Sequence, residues 1–238
     1  MADRVQENID ELVKNSDLFI ASPDTIEQMQ QKGLPVKSVF TTYQEYLDKL
    51  FAEKRKQADE IIQKLPHLDD AIANSSVAAL YEELKETFAF GISGASIVLA
   101  ILLLDLAAKF RLHEENVKDN PQASWKPIED LHLKEVIQKL REQEAITEDE
   151  EKELLDFNKK IRNNYLHYNI QKLIKGMILG ELKGVNVGTG EITIEKNVDP
   201  TEKPFLWFSA KRVLDKKTVV ERTSFCIKWV NKFLKKDD

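Results

Sequence analysis

The chain has 238 residues, 42% hydrophobic, 32% charged and 8% aromatic, which is the composition of a globular protein. Eight Gly and seven Pro exclude collagen-like and low-complexity classes, and one cysteine, Cys226, excludes an internal disulfide framework and a cysteine-rich zinc site. With 35 Lys and Arg against 41 Asp and Glu the net charge is −6, so any polyanion must be met by a local basic site.

The N-terminus, MADRVQENIDELVKN, alternates charges at helical spacing and lacks the apolar core of an export signal, which predicts a cytoplasmic protein. Asp24 and Glu27 predict the start of a short helix ending near Gly33, and Pro35 separates it from the next element. From Val39 to about Leu65, Phe40, Tyr43, Tyr46, Leu47, Leu50 and Phe51 recur at spacings of three and four, the pattern of one amphipathic helix. Pro66 ends it. Residues 1–68 are thereby read as an N-terminal helical extension and 69–238 as the main helical domain.

A second helical block runs from about Asp69 towards Arg111, bent at Gly91 and Gly94. Its stretch Phe88 to Ala108, FAFGISGASIVLAILLLDLAA, is about long enough to span a bilayer. Asp105 inside it and Gly91, Ser93 and Gly94 in its first half favour a buried central helix and no membrane association. Residues 113–127 read as a polar loop, with Pro127 opening a helix to about Glu144. Thr147 and Glu150 form a capping box for a long helix reaching about Lys175. After Gly180, VNVGTGEITIEK predicts a hairpin, FLWFS (205–209) a third short strand, and residues 218–235 a terminal helix. The hairpin insertion is placed at 184–209. The fold class is mainly α, a helical bundle with a small C-terminal hairpin followed by a helix. Cys226 falls in the apolar pattern of the terminal helix and reads as packing.

His67 follows Pro66 in a turn, His113 opens the polar loop and His132 lies among leucines; none has a partner at metal-ligand spacing, so no metal and no cofactor is expected. His167 is different. On a wheel of the capped helix, Leu154, Phe157, Ile161, Tyr165 and Tyr168 share one face. Asp156, Lys160, Asn163, His167 and Gln171 share the opposite one, with Arg162 on the flank. An imidazole, an amide and an ammonium on one face beside a guanidinium can handle an anion and move protons near neutral pH. An ordinary solvated helix face explains the same residues. Asp105, an acid in an apolar helix, must either pair with Arg162 or Asn163 or reach water and Lys109 at the helix exit.

Arg162-Asn163-Asn164-Tyr165-Leu166-His167 resembles the Arg-Asn-x-x-x-His form of the HEPN superfamily signature. An apolar helix with an embedded acid, a loop, the helix HLKEVIQKLREQEAI and a capped motif helix resemble that family over about residues 85–180. The resemblance implies an α-helical bundle that forms a homodimer, with RNA as substrate and a role in a toxin–antitoxin or anti-phage defence system. It implies a metal-independent endoribonuclease leaving 2′,3′-cyclic phosphate ends. His167 would be the acid/base, Arg162 would stabilise the phosphorane, and Asn163 would orient the phosphate or the imidazole. Asp105, Lys160 and Tyr168 would support them. Other members bind RNA, nucleotides or partner proteins without catalysis, and that is the alternative reading. Tyr168 directly follows His167, whereas members paired with a nucleotidyltransferase antitoxin often carry tyrosine two residues after it. That departure argues against modification by such a partner; the resemblance otherwise implies an antitoxin or other regulatory protein as a partner.

Overall fold

The computed structural model describes residue 31, residues 43–69, 75–185 and 192–235. The chain divides into two compact units, residues 1–52 and 53–238. The expected helix from Asp24 lies outside the described residues apart from position 31, and the next helix is α1 (Tyr43–Ile62), which contributes to both units. The second unit is mainly helical. Its elements are α2 (Ser75–Ala89), α3 (Ser93–Asp119), α4 (Lys126–Glu129), α5 (Leu133–Glu142), α6 (Glu148–Phe157), α7 (Asn163–Leu166), α8 (Ile170–Leu173) and α9 (Trp207–Leu234). A two-stranded antiparallel sheet, β1 (Leu179–Val185) with β2 (Ile192–Val198), precedes α9.

Helix α3 is the axis of the bundle. Ile97, Ile101, Leu104, Ala107 and Ala108 are fully buried on several of its faces, as its all-round apolar sequence requires. Helix α9 packs along it through Cys226, Ile227 and Val230, α2 packs through Val77, Leu84 and Phe88, and α5 through Val136, Ile137 and Leu140. Helix α6 joins α9 by stacked Phe157 and Phe225 rings, 4.3 Å between centroids, and by a Lys228–Glu153 ion pair at 3.3 Å. Cys226 is fully buried, and burial pushes its thiol far above the ordinary range, so it stays a packing group.

The expected bend at Gly91 is a full break. Gly91 adopts φ +65°, its N–H donates to Phe88 O, and the Ile92 N–H donates to Thr87 O, both at 2.9 Å. This is the left-handed stop that glycine takes at least cost. Helix α3 then continues to Asp119, through the first seven residues of the expected polar loop 113–127. An Arg111–Glu115 ion pair at 2.6 Å and a Gln143–Asn116 bond at 2.7 Å support that extension. Pro127 opens only the four-residue α4, and His132 ends up before the first turn of α5, where its N–H donates to Glu135 at 2.8 Å.

Two further expectations are corrected. The hairpin forms at 179–198, its 186–191 turn lying outside the described residues, but FLWFS adds no strand. Pro204 starts a 3-10 turn and α9 begins at Trp207, because Ala210 at helical spacing packs on Ile170 and Ile174 of the segment before the hairpin. The terminal helix therefore starts eleven residues earlier than its apolar pattern, since the inward position Asp215 is a carboxylate held by other side chains. Among the described residues, no helix is long and apolar enough to cross a membrane.

Candidate functional site

The capping box at the start of α6 forms as expected: the Glu150 N–H donates to Thr147 Oγ1 at 3.3 Å and the Thr147 N–H to Glu150 at 2.9 Å. The helix does not run on to Lys175. Residues 158–162 form a π-helical turn in which the Asn163 N–H donates to Asn158 O. Such a turn inserts about one extra residue and shifts the phase of everything after it. The helix resumes as α7 and stops at His167. There the Asn169 N–H donates to Asn164 O at 2.9 Å and the Tyr168 N–H to Tyr165 O at 3.3 Å. Tyr168 itself takes the left-handed position at φ +56° that Gly91 fills in the earlier stop. A non-glycine there costs about 1–3 kcal/mol and persists only where surrounding contacts hold it. Its consequence is direction: the Tyr168 ring leaves the apolar stripe expected of it and is 62% exposed.

Arg162 faces α3. Its Nη2 donates to Asp105 Oδ2 at 2.8 Å and its Nη1 to Asn163 Oδ1 at 3.0 Å. The two charged side chains are 13% and 16% exposed, so the pair is largely removed from water. Of the two environments open to Asp105, the structure takes the pairing with Arg162; Lys109 instead donates to the Glu129 carbonyl at 2.5 Å. Burial pushes the Asp105 carboxyl above its ordinary range, opposed by the Arg162 guanidinium. Among the described residues, Asp105 Oδ1 and Arg162 Nε are buried without a partner. His167 is exposed, and Lys160 is exposed with an ion pair to Asp156 at 2.8 Å. The fold thus brings Arg162, Asn163 and Asp105 into one hydrogen-bonded set, while Lys160 and Tyr168 lie outside that set.

Behind the motif is a network that no motif signals. The buried Tyr165 hydroxyl donates to Asp215 and accepts from Arg222, while Lys211 pairs with Asp215 at 2.5 Å. Burial, with the Asp215 carboxylate, pushes the Tyr165 phenol far above its ordinary range, so it stays a proton donor. Lys211 and Arg222 also lie over the Tyr165 ring, at 4.8 and 5.2 Å from its centroid. This network anchors the residue midway between Arg162 and His167 to α9. The only sequence trace of it is Lys211 four residues before Asp215.

Among the described residues, no group of three His, Cys, Asp or Glu side chains is placed to hold a metal ion. Comparison of the chain with family models, with curated proteins and with solved structures returns no match.

Proposed function

We propose that this protein is an endoribonuclease of HEPN type acting in a toxin or anti-phage defence role, with two chains sharing one cleft. The observation that carries the reading is the Arg162 guanidinium, fixed by Asp105 of the neighbouring helix and by Asn163, on the same short segment as the exposed His167 imidazole. In the proposed reaction His167 takes the proton of an RNA 2′-hydroxyl, whose oxygen attacks the adjacent phosphorus. The P–O bond to the next nucleotide breaks, and its 5′-oxygen takes a proton from a second imidazole. The products are a 2′,3′-cyclic phosphate and a 5′-hydroxyl. Arg162 supplies the positive charge for the phosphorane, so the chemistry requires no metal. A single Arg162–His167 motif offers one imidazole where the reaction needs a proton acceptor and a donor, which is why the reading includes a homodimer.

One feature favours the second reading, a non-catalytic RNA, nucleotide or partner-binding protein: both terminal nitrogens of Arg162 already have partners within the chain. Incubation of purified protein with mixed RNA in EDTA separates the two. The nuclease reading expects cleavage with cyclic phosphate ends, its loss in His167→Ala, and unchanged folding, since surface substitutions usually change stability by no more than about 0.5 kcal/mol. Mixing His167→Ala chains into wild type should depress activity beyond simple dilution. Normal cleavage by His167→Ala, or a monodisperse monomer that cleaves, refutes the shared-site mechanism.

A further inference from the structure

The net charge of −6 demands a local basic site for RNA, and the second unit contains one. Where α3 begins, beside the first turns of α9, lies a cavity of about 360 Å³. Among the described residues, Lys54, Lys211, Arg212 and Lys216 line it with one carboxylate, Asp215, which Lys211 and Tyr165 already occupy. An adjoining cavity of about 340 Å³ shares Lys54 and Lys216, adds Lys64, and among the described residues is lined by no acidic one. Together they form a trough with five cations in an otherwise acidic chain.

The trough adjoins the motif. Tyr168, next to His167, lines the first cavity, and so does Phe208. Their rings are each 62% exposed and lie 6.3 Å apart, tilted by 48°. Two exposed rings on a cationic trough are what unpaired bases stack on while lysines and arginines follow the phosphates. The strained left-handed backbone of Tyr168 is what turns its ring to this rim. The first turn of α3 adds backbone donors at Ser93, Gly94 and Ala95, which have no side-chain cap, but the cations and the rings carry the assignment.

We propose that this trough binds single-stranded RNA flanking the cleaved bond, with a base on Tyr168 and Phe208 and phosphates on Lys54, Lys64 and Lys216. The assignment rests on the nuclease reading for its placement beside His167. It tells the substrate class as well: an unpaired strand, since a base within a duplex has no free face to offer the rings.

The test is fluorescence anisotropy of a labelled twelve-residue oligouridylate with full-length His167→Ala protein, which removes cleavage from the measurement, between 50 and 200 mM salt. Lys64→Gln with Lys216→Gln should weaken binding at least about tenfold and flatten the log–log salt slope by about 1.4, two contacts at about 0.7 each. Phe208→Ala should weaken binding about five- to a hundredfold with the slope unchanged, as loss of one stacked base does. Circular dichroism of each variant confirms that it folds. Unchanged affinity in both variants, no binding at all, or equal binding of AMP, a duplex RNA or polyglutamate overturns the proposal. The nuclease reading fails separately: a wild-type chain that binds oligouridylate through the trough and never cleaves RNA refutes the catalysis and leaves the binding site standing.

Discussion

Removing one member of the Asp105–Arg162 pair is expected to cost more stability than removing both. The pair meets through one 2.8 Å bond, at 16% and 13% exposure, while Asp105 Oδ1 and Arg162 Nε stay buried and unsatisfied. The upward displacement of the Asp105 carboxyl shows that desolvation outweighs the attraction of the guanidinium. In that regime a buried pair adds little net stability, yet truncating one partner of a buried pair costs about 3–5 kcal/mol because the other charge is left uncompensated. The residual exposure lowers this to about 2–4 kcal/mol for Asp105→Leu or Arg162→Met alone. The double variant exchanges both charges for apolar side chains and should lie within about 1 kcal/mol of wild type. The resulting coupling is at least about 3 kcal/mol, where independent sites add to within about 0.5 kcal/mol. Urea denaturation of the four proteins at pH 7 with a common m-value measures it. Additive single costs would refute the reasoning, because they would show two residues that each reach water alone. RNA cleavage adds the functional half: the double variant should be folded and inactive, since it lacks Arg162.

Gly94→Ala should destabilise the second unit by about 1–3 kcal/mol, as overpacking does, because the new Cβ would stand 2.9 Å from Asp215 Oδ2 and 3.4 Å from Lys211 Nζ. A higher thermal midpoint, from the better helix propensity of alanine, would show that the Asp215 network yields freely. Acid stability should depend on Glu150, whose carboxyl burial raises but whose contacts with Lys232 and the Thr147 N–H bring below its ordinary range. A depressed folded value means stability that is present above the unfolded value of about 4.3 and lost as pH falls through the folded one. Glu150→Gln should accordingly flatten the fall in urea midpoint below about pH 4.5; an unaltered acid limb would refute the linkage.

Much of the helical plan follows from local chemistry that a sequence displays directly. The spacing of Val136, Ile137 and Leu140, the Thr147–Glu150 box and the apolar circumference of α3 each depend on neighbours within one helical turn. For Asp105 the sequence left two environments open, Arg162 or Asn163 on one side and water with Lys109 on the other, and the tertiary structure chose Arg162. What tertiary structure alone decided lies where one side chain substitutes for the expected type. Tyr168 occupies a left-handed stop without being glycine, and Asp215 occupies an inward position of α9 without being apolar. Tyr165 and Lys211, 50 and 4 residues from Asp215, make that burial tolerable, so a carboxylate interrupts the inward face of α9 after Trp207, Ala210 and Leu214. The π-helical turn shifts the wheel by about one residue, which local spacing does not record. The basic trough likewise exists only after packing, because Lys54 and Lys64 reach Arg212 and Lys216 across some 150 residues of chain. Periodicity reports which face of a helix is apolar; which charges then share a surface is set by how the second half of α1 and the turn after it lie against the start of α3 and against α9.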